Sequence, residues 1–122
     1  MNKTLKEFVN KIEKTIPGFI GVSITDIESG VPYESKGIND FDIDLASAYN
    51  LEVVKAKINA IDALGLDESI KDITISLTNQ THILNISKER DYFIYIAIDA
   101  SKGNLGITKS LLEKYKVDIK TS

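Results

Sequence analysis

The chain contains no cysteine, one histidine (His82) and one arginine (Arg90). Without cysteine there are no disulfides and no thiolate nucleophiles or metal ligands. A cysteine-free chain fits a reducing compartment, and the expected location is the cytoplasm. A lone histidine with no second imidazole does not make a metal site, so none is assigned; a strand histidine with satisfied hydrogen bonds is the plainer reading of His82. No Gly-x-x-x-x-Gly-Lys-Ser/Thr occurs, so nucleotide phosphates are not held in a Walker-type loop. No Gly-x-Ser-x-Gly occurs either, and no Ser/His/Asp set can be placed, so no catalytic residue and no cofactor site is assigned. Excess positive charge is absent too: the net charge is −3 and the pI about 5.1, which excludes a nucleic-acid footprint. There is no long hydrophobic run. Lys3 and Lys6 are followed by Leu5, Phe8, Val9 and Ile12 at helical spacing, so neither a signal peptide nor a membrane-inserted segment is expected.

What remains is an ordinary globular mix, 43% hydrophobic and 27% charged, over 122 residues. That is enough for one domain with a modest core, 1–122. Its most informative stretch runs from Asp42 to Leu64. No Gly or Pro interrupts it between Gly37 and Gly65; Asp40, Asp42 and Asp44 supply N-terminal negative charge, and Gly65 a left-handed stop. At 100° per residue its apolar positions form two stripes. Ile43, Leu51, Val54, Ile58 and Ile61 share one face. Tyr49, Val53, Ala56, Ala60 and Leu64 lie nearly opposite, flanked by Ala46 and Ala63. Glu52, Lys55, Asn59 and Asp62 form a polar strip along one edge, and Asn50 and Lys57 a narrower one along the other. A surface helix of a single domain needs one buried face, and this one has two. Either the chain covers both itself, or the second, Ala-rich stripe meets a partner, since small side chains let helix axes approach closely.

Around that helix the chain reads as α-β-β-α-β-β-β-α, an α+β layered domain. Residues 4–15 form an amphipathic helix, with Thr4 and Glu7 at capping-box spacing and Pro17-Gly18 ending it. Phe19–Asp26 is a strand whose Gly21 allows close approach. Val31–Lys36 is its hairpin mate, placed at a sheet edge by Pro32. Ile73, Ile75 and Leu77 alternate with polar residues, and Asn79-Gln80 turns the chain into a strand over Thr81–Ser87. Lys88-Glu89-Arg90-Asp91 turns it again into Tyr92–Asp99, apolar on both faces and therefore central. Leu105 to Tyr115 closes the domain as a helix. Three features invite sharper readings. Lys102-Gly103-Asn104-Leu105-Gly106 has the make-up of an anion nest, but a simple helix entry is the plainer reading. Asp40, Asp42 and Asp44 lack the spacing of a calcium loop. Arg90 has the chemistry of an arginine finger, yet sits beside two acids in an ordinary turn.

Several of these segments resemble the Roadblock / dynein light chain family. Pro17-Gly18-Phe19-Ile20-Gly21-Val22 resembles the family's Pro-Gly-x-x-Gly opening of strand one, and Asp26 with Gly30-Val31-Pro32 its first hairpin. Leu45-Ala46-Ser47-Ala48 is similar to the start of its Ala-rich second helix, and Asn104-Leu105-Gly106 to the Asn-Leu-Gly that opens its last. The resemblance implies one five-stranded antiparallel sheet of order 2-1-5-4-3, with the long helix on one face and the terminal helices on the other. It also implies a homodimer made by pairing the third strand and the long helix with their copies. The interface would then comprise Tyr49, Val53, Ala56, Ala60, Leu64, Ile73, Thr74, Ile75 and Ser76, within a self-pairing edge over Ile70–Thr78. Family members regulate or scaffold Ras-like small GTPases, or join cargo and motor complexes. The expected function is a non-enzymatic homodimeric regulator or scaffold of a small GTPase, with Glu52, Lys55, Asn59 and Asp62 offered to the partner beside the two-fold axis. The alternatives are an adaptor subunit without GTPase contact, and a profilin- or PAS-like ligand sensor, which would need a polar-lined cavity.

Overall fold

The computed structural model describes residues 3–119. The order is α1 (Lys3–Thr15), β1 (Phe19–Asp26), β2 (Pro32–Gly37), α2 (Ile43–Ala63), β3 (Asp72–Ser76), β4 (Gln80–Ile86), β5 (Tyr92–Asp99) and α3 (Leu105–Lys116). One antiparallel sheet runs β2-β1-β5-β4-β3. The α+β architecture and strand order are those the sequence and its resemblance implied. Pro32 does lie on an edge strand, and β5 in the middle, where every residue from Phe93 to Ile98 is buried.

Alternation along the strands divides the core in two. Val22, Ile24, Ile83, Ile94, Ile96 and Ile98 face α1 and α3, meeting Leu5, Phe8, Val9, Ile12 and Leu112. Ile20, Leu84, Phe93, Tyr95 and Ala97 face α2, meeting Ile43, Leu51 and Val54. The first stripe of α2 is thus the inward one. It includes one residue that apolar periodicity passes over: Ser47, 2% exposed, whose hydroxyl meets that of buried Ser23 on β1. Ser47 also donates to the Ile43 carbonyl, so the pair satisfies itself beneath the helix.

Local chemistry sets the ends of the elements. The Asp42 carboxylate accepts from the Leu45 N–H at 3.0 Å, capping α2, and Gly65 stands at φ 67°, the left-handed stop. Two boundary expectations are corrected. Helix α1 already runs at Lys3, so Thr4 lies inside it and is not its cap. The β3–β4 turn is Thr78-Asn79 rather than Asn79-Gln80, because Leu77 N–H donates to Gln80 C=O and draws Gln80 into the ladder. The third strand is also shorter than Ile70–Thr78, its flanks being loop.

At Gly21 the start of α2 and the residue before its cap come close to the sheet. A Cβ there would stand 2.9 Å from Ile43 Cδ1 and 3.2 Å from the Phe41 ring. Gly21→Ala is therefore expected to lower stability by about 1–3 kcal/mol through overpacking, read as a shift of the urea midpoint at constant slope. An unchanged midpoint would mean that the segment entering α2 yields freely.

Candidate interaction surface

The sheet is wider than the helix that covers one of its faces. Five strands spaced about 4.8 Å apart span about 19 Å between outer axes, whereas a helix with its side chains is about 10 Å across. On one face α1 and α3 lie side by side, which suffices. On the other α2 stands alone, its backbone nearest β1 and β2 and its inner side chains clustered with Leu84 of β4 and Phe93 and Tyr95 of β5. On β3, Ile73 and Ile75 stay half-buried on the side toward α2, while Thr74 and Ser76 are exposed on the opposite side.

The second stripe of α2 is bare in the single chain. Tyr49 is 71% exposed, Leu64 69% and Val53 38%. Ala56 is exposed and Ala60 half-buried. Leu66 and Leu77 add exposed apolar surface in the loops flanking β3. The nine residues assigned to an interface therefore fall on two surfaces, an outer helix face and a sheet edge, and nothing else in the described chain covers either fully.

In the polar strip, Glu52 and Asn59 are exposed and Lys55 half-buried. Asp62 is exposed as well, and it is paired. Its two carboxylate oxygens accept from Arg90 Nη1 at 2.9 and 3.0 Å. Arg90 sits at φ 61° in the β4–β5 turn, which tightens that turn beneath the C-terminal end of α2. The arginine that a finger mechanism would need is thus engaged within its own chain.

Between α2 and the open edge lies a polar cluster that periodicity did not reveal. His82 Nε2 lies 2.8 Å from Gln80 Oε1, and its ring stands edge-on to Tyr95 at 5.2 Å between centroids. The Tyr95 hydroxyl approaches His82 and shares a hydrogen bond with Asn50 of α2. Burial raises the Tyr95 pKa to about 12, partly offset by Asn50, so this hydroxyl stays protonated. The sequence held one usable signal, Asn50 in the narrow polar strip it shares with Lys57. The ligand-sensor reading calls for a polar-lined cavity. The hollow between Ile70, Lys71, Ile86, Lys88 and Lys116 lies at the surface at the end of the sheet. Among the described residues, no three His, Cys, Asp or Glu side chains converge to hold a metal ion, and no helix is long and apolar enough to cross a membrane.

Burial pushes the His82 pKa below its ordinary 6.5, so the folded chain favours the neutral ring. The unfolded chain binds the proton more readily, so this contribution to stability is complete above the unfolded value. It declines as pH falls through that value toward the folded one. The melting temperature is expected to drop from about pH 7.5 to about pH 5.5, and His82→Gln to flatten that slope. A slope unchanged in the variant would assign it to other groups.

No family's sequence profile matches the chain, and no curated protein matches it by sequence. Solved structures do. MglB of Myxococcus xanthus superposes with a TM-score of 0.81 at 14% identity, over 95% of this chain and 91% of that one. A Roadblock/LC7 domain from Streptomyces avermitilis gives 0.77 at 7% identity, over 89% and 88%. The gliding protein MglB from Thermus thermophilus gives 0.77 at 12% identity, over 95% and 85%. At such identities the likeness speaks for backbone architecture: this chain has the Roadblock/LC7 fold.

Proposed function

We propose that this chain acts as a homodimer, a non-catalytic regulator or scaffold whose partner is a small Ras-like GTPase in the same cytoplasm. The observation that supports the dimer is the single helix on a five-stranded sheet, with a bare apolar stripe and an open edge. A second copy would supply the missing helix, bury Tyr49, Val53, Ala56, Ala60 and Leu64, and close the edge of β3. The Ala-rich stripe suits such packing, because small side chains permit close axes at little entropic cost.

The GTPase rests on the resemblance, and on the character of the site. A paired-helix platform would act by positioning another protein's groups. MglB, whose fold this chain shares, also occurs in a structure described as having a tetrameric arrangement. Assembly on this fold is therefore physically accessible. Glu52, Lys55 and Asn59, with Asp62 held by Arg90, would border the paired helices and face the partner.

Two experiments test these readings. Ala60→Glu places a charge in the second stripe and is expected to weaken association by several kcal/mol, on the order found for an uncompensated buried charge, by sedimentation at micromolar concentration. A wild-type monomer, or a variant dimer as tight as wild type, would sink the helix interface. For the partner, Ras-like GTPases from the source genome are tested for binding in their GDP and GTP-analogue states. Glu52→Lys with Asn59→Lys should abolish capture while changing stability by only about 0.5 kcal/mol. Binding that survives the double reversal would move the docking face elsewhere, and copurification with no GTPase would favour the adaptor.

A further inference from the structure

We infer that β3 pairs antiparallel with β3 of a second copy in the register that sets Thr74 on the two-fold axis, Asp72 opposite Ser76 and Ile73 opposite Ile75. This rests on the homodimer proposed above and goes further, by specifying which atoms meet at the seam and what is left for a partner.

Backbone hydrogen bonds restrict the choice first. Lys71 C=O accepts from Ile86 N–H at 3.2 Å, and Leu77 N–H donates to Gln80 C=O at 2.8 Å, at opposite ends of the β3–β4 hairpin. In an antiparallel ladder successive residues direct their N–H and C=O alternately to one side and the other. The register from Asp72 opposite Asn85 to Ser76 opposite Thr81 has no break, so that alternation holds throughout. Ile73 and Ile75 therefore bond to β4. Asp72, Thr74 and Ser76 aim theirs at the open edge, where the sheet ends.

Two-fold symmetry restricts it further, since residue i facing j requires j facing i. Keeping Ile73 and Ile75 on the same side as their copies allows a centre on any of the five strand residues, and centring on Asp72 or Ser76 overlaps the two strands by a single residue, which leaves Ile73, Thr74 and Ile75 to compare. Centred on Thr74, Asp72 pairs with Ser76, Thr74 with itself and Ser76 with Asp72, which closes every outward group of β3 in about six hydrogen bonds. Centred on Ile73, Ser76 slides against Ile70, outside the strand, and Lys71 falls opposite Ile75. Centred on Ile75, Asp72 slides against Thr78 in the turn. Only the Thr74 centre uses the whole strand.

The side chains obey the same symmetry. Asp-Ile-Thr-Ile-Ser is a palindrome of polarity about Thr74. Toward α2, Ile73 meets Ile75 at positions without hydrogen bonds, where cross-strand side chains come closest. On the opposite side the Ser76 hydroxyl faces the Asp72 carboxylate, which Lys109 of α3 already holds at 3.2 Å. A foreign strand would need no palindrome, whereas a second copy does. The only edges of the doubled sheet are then the two copies of β2, each with Pro32 exposed. A partner protein must dock on helices and not by adding a strand at the seam.

The absence of native cysteine makes the register directly measurable. Thr74→Cys, Asp72→Cys and Ser76→Cys are oxidised singly, the last two also after coexpression, and Ile73→Cys and Ile75→Cys serve as markers of the rival centres. Each is run beside sedimentation of the unoxidised protein. Thr74→Cys is expected to cross-link with itself. Asp72→Cys and Ser76→Cys should cross-link only with each other, because each is four residues, about 13 Å, from its own copy, and a disulfide closes only below about 7 Å. Preferential self-linking at Ile73 or Ile75 would overturn the register while leaving the dimer. A dimer that never cross-links through β3 would overturn the seam and leave that edge to another protein's strand. A monomer in sedimentation would remove the proposal from which the register follows.

Discussion

Strand β5 is the constraint on which the rest depends. Phe93 through Ile98 are buried on both sides, which is possible only if strands flank β5 and helices cover both faces of the sheet. The chain meets the first requirement with β1 and β4 and the second unequally, with two helices on one face and one on the other. The imbalance produces every unsatisfied surface described here. A helix that must anchor half a sheet alone buries Ile43, Leu51, Val54 and Ile61 of its inner stripe, and among the described residues little is left to cover its outer one.

Helix α2 is consequently held from three directions. Its inner stripe packs on Leu84, Phe93 and Tyr95. Its start is capped by Asp42 and seated against Gly21. Its far end is tied to the β4–β5 turn through Asp62 and Arg90. A helix fixed at both ends presents its outer residues as a rigid surface, and a rigid surface loses little entropy when a partner arrives. That property suits a platform. Burial disfavours the charged forms of half-buried His82 and buried Tyr95.

The two halves of the molecule also differ in charge. α1 contains Lys3, Lys6, Lys11 and Lys14 against Glu7 and Glu13, whereas the segment leading into α2 contains Asp40, Asp42 and Asp44. Glu13 is engaged by Lys36 of β2 at 3.0 Å, which pins α1 across the edge hairpin. Such exposed pairs add little to stability. Their effect is on orientation, keeping the terminal helices on their own side of the sheet.

Much of this was legible in the residues alone. The bounds of β1 and β5, the central position of β5, the edge position of Pro32 and the two stripes of α2 follow from periodicity and from what proline cannot donate, and both are properties of neighbouring residues. Strand order came through short segments such as Pro17-Gly18 and Asn104-Leu105-Gly106, whose resemblance to a known fold is itself local. The structure alone decided what depends on distant positions meeting. Ser23 joins Ser47 across 24 residues, Arg90 reaches Asp62 across 28, and buried Tyr95 gathers half-buried His82 and Asn50 into one group. No pattern along the chain encodes those meetings, because a hydrogen bond between side chains is set by where two elements cross, and the crossing is fixed by the packing of the whole sheet.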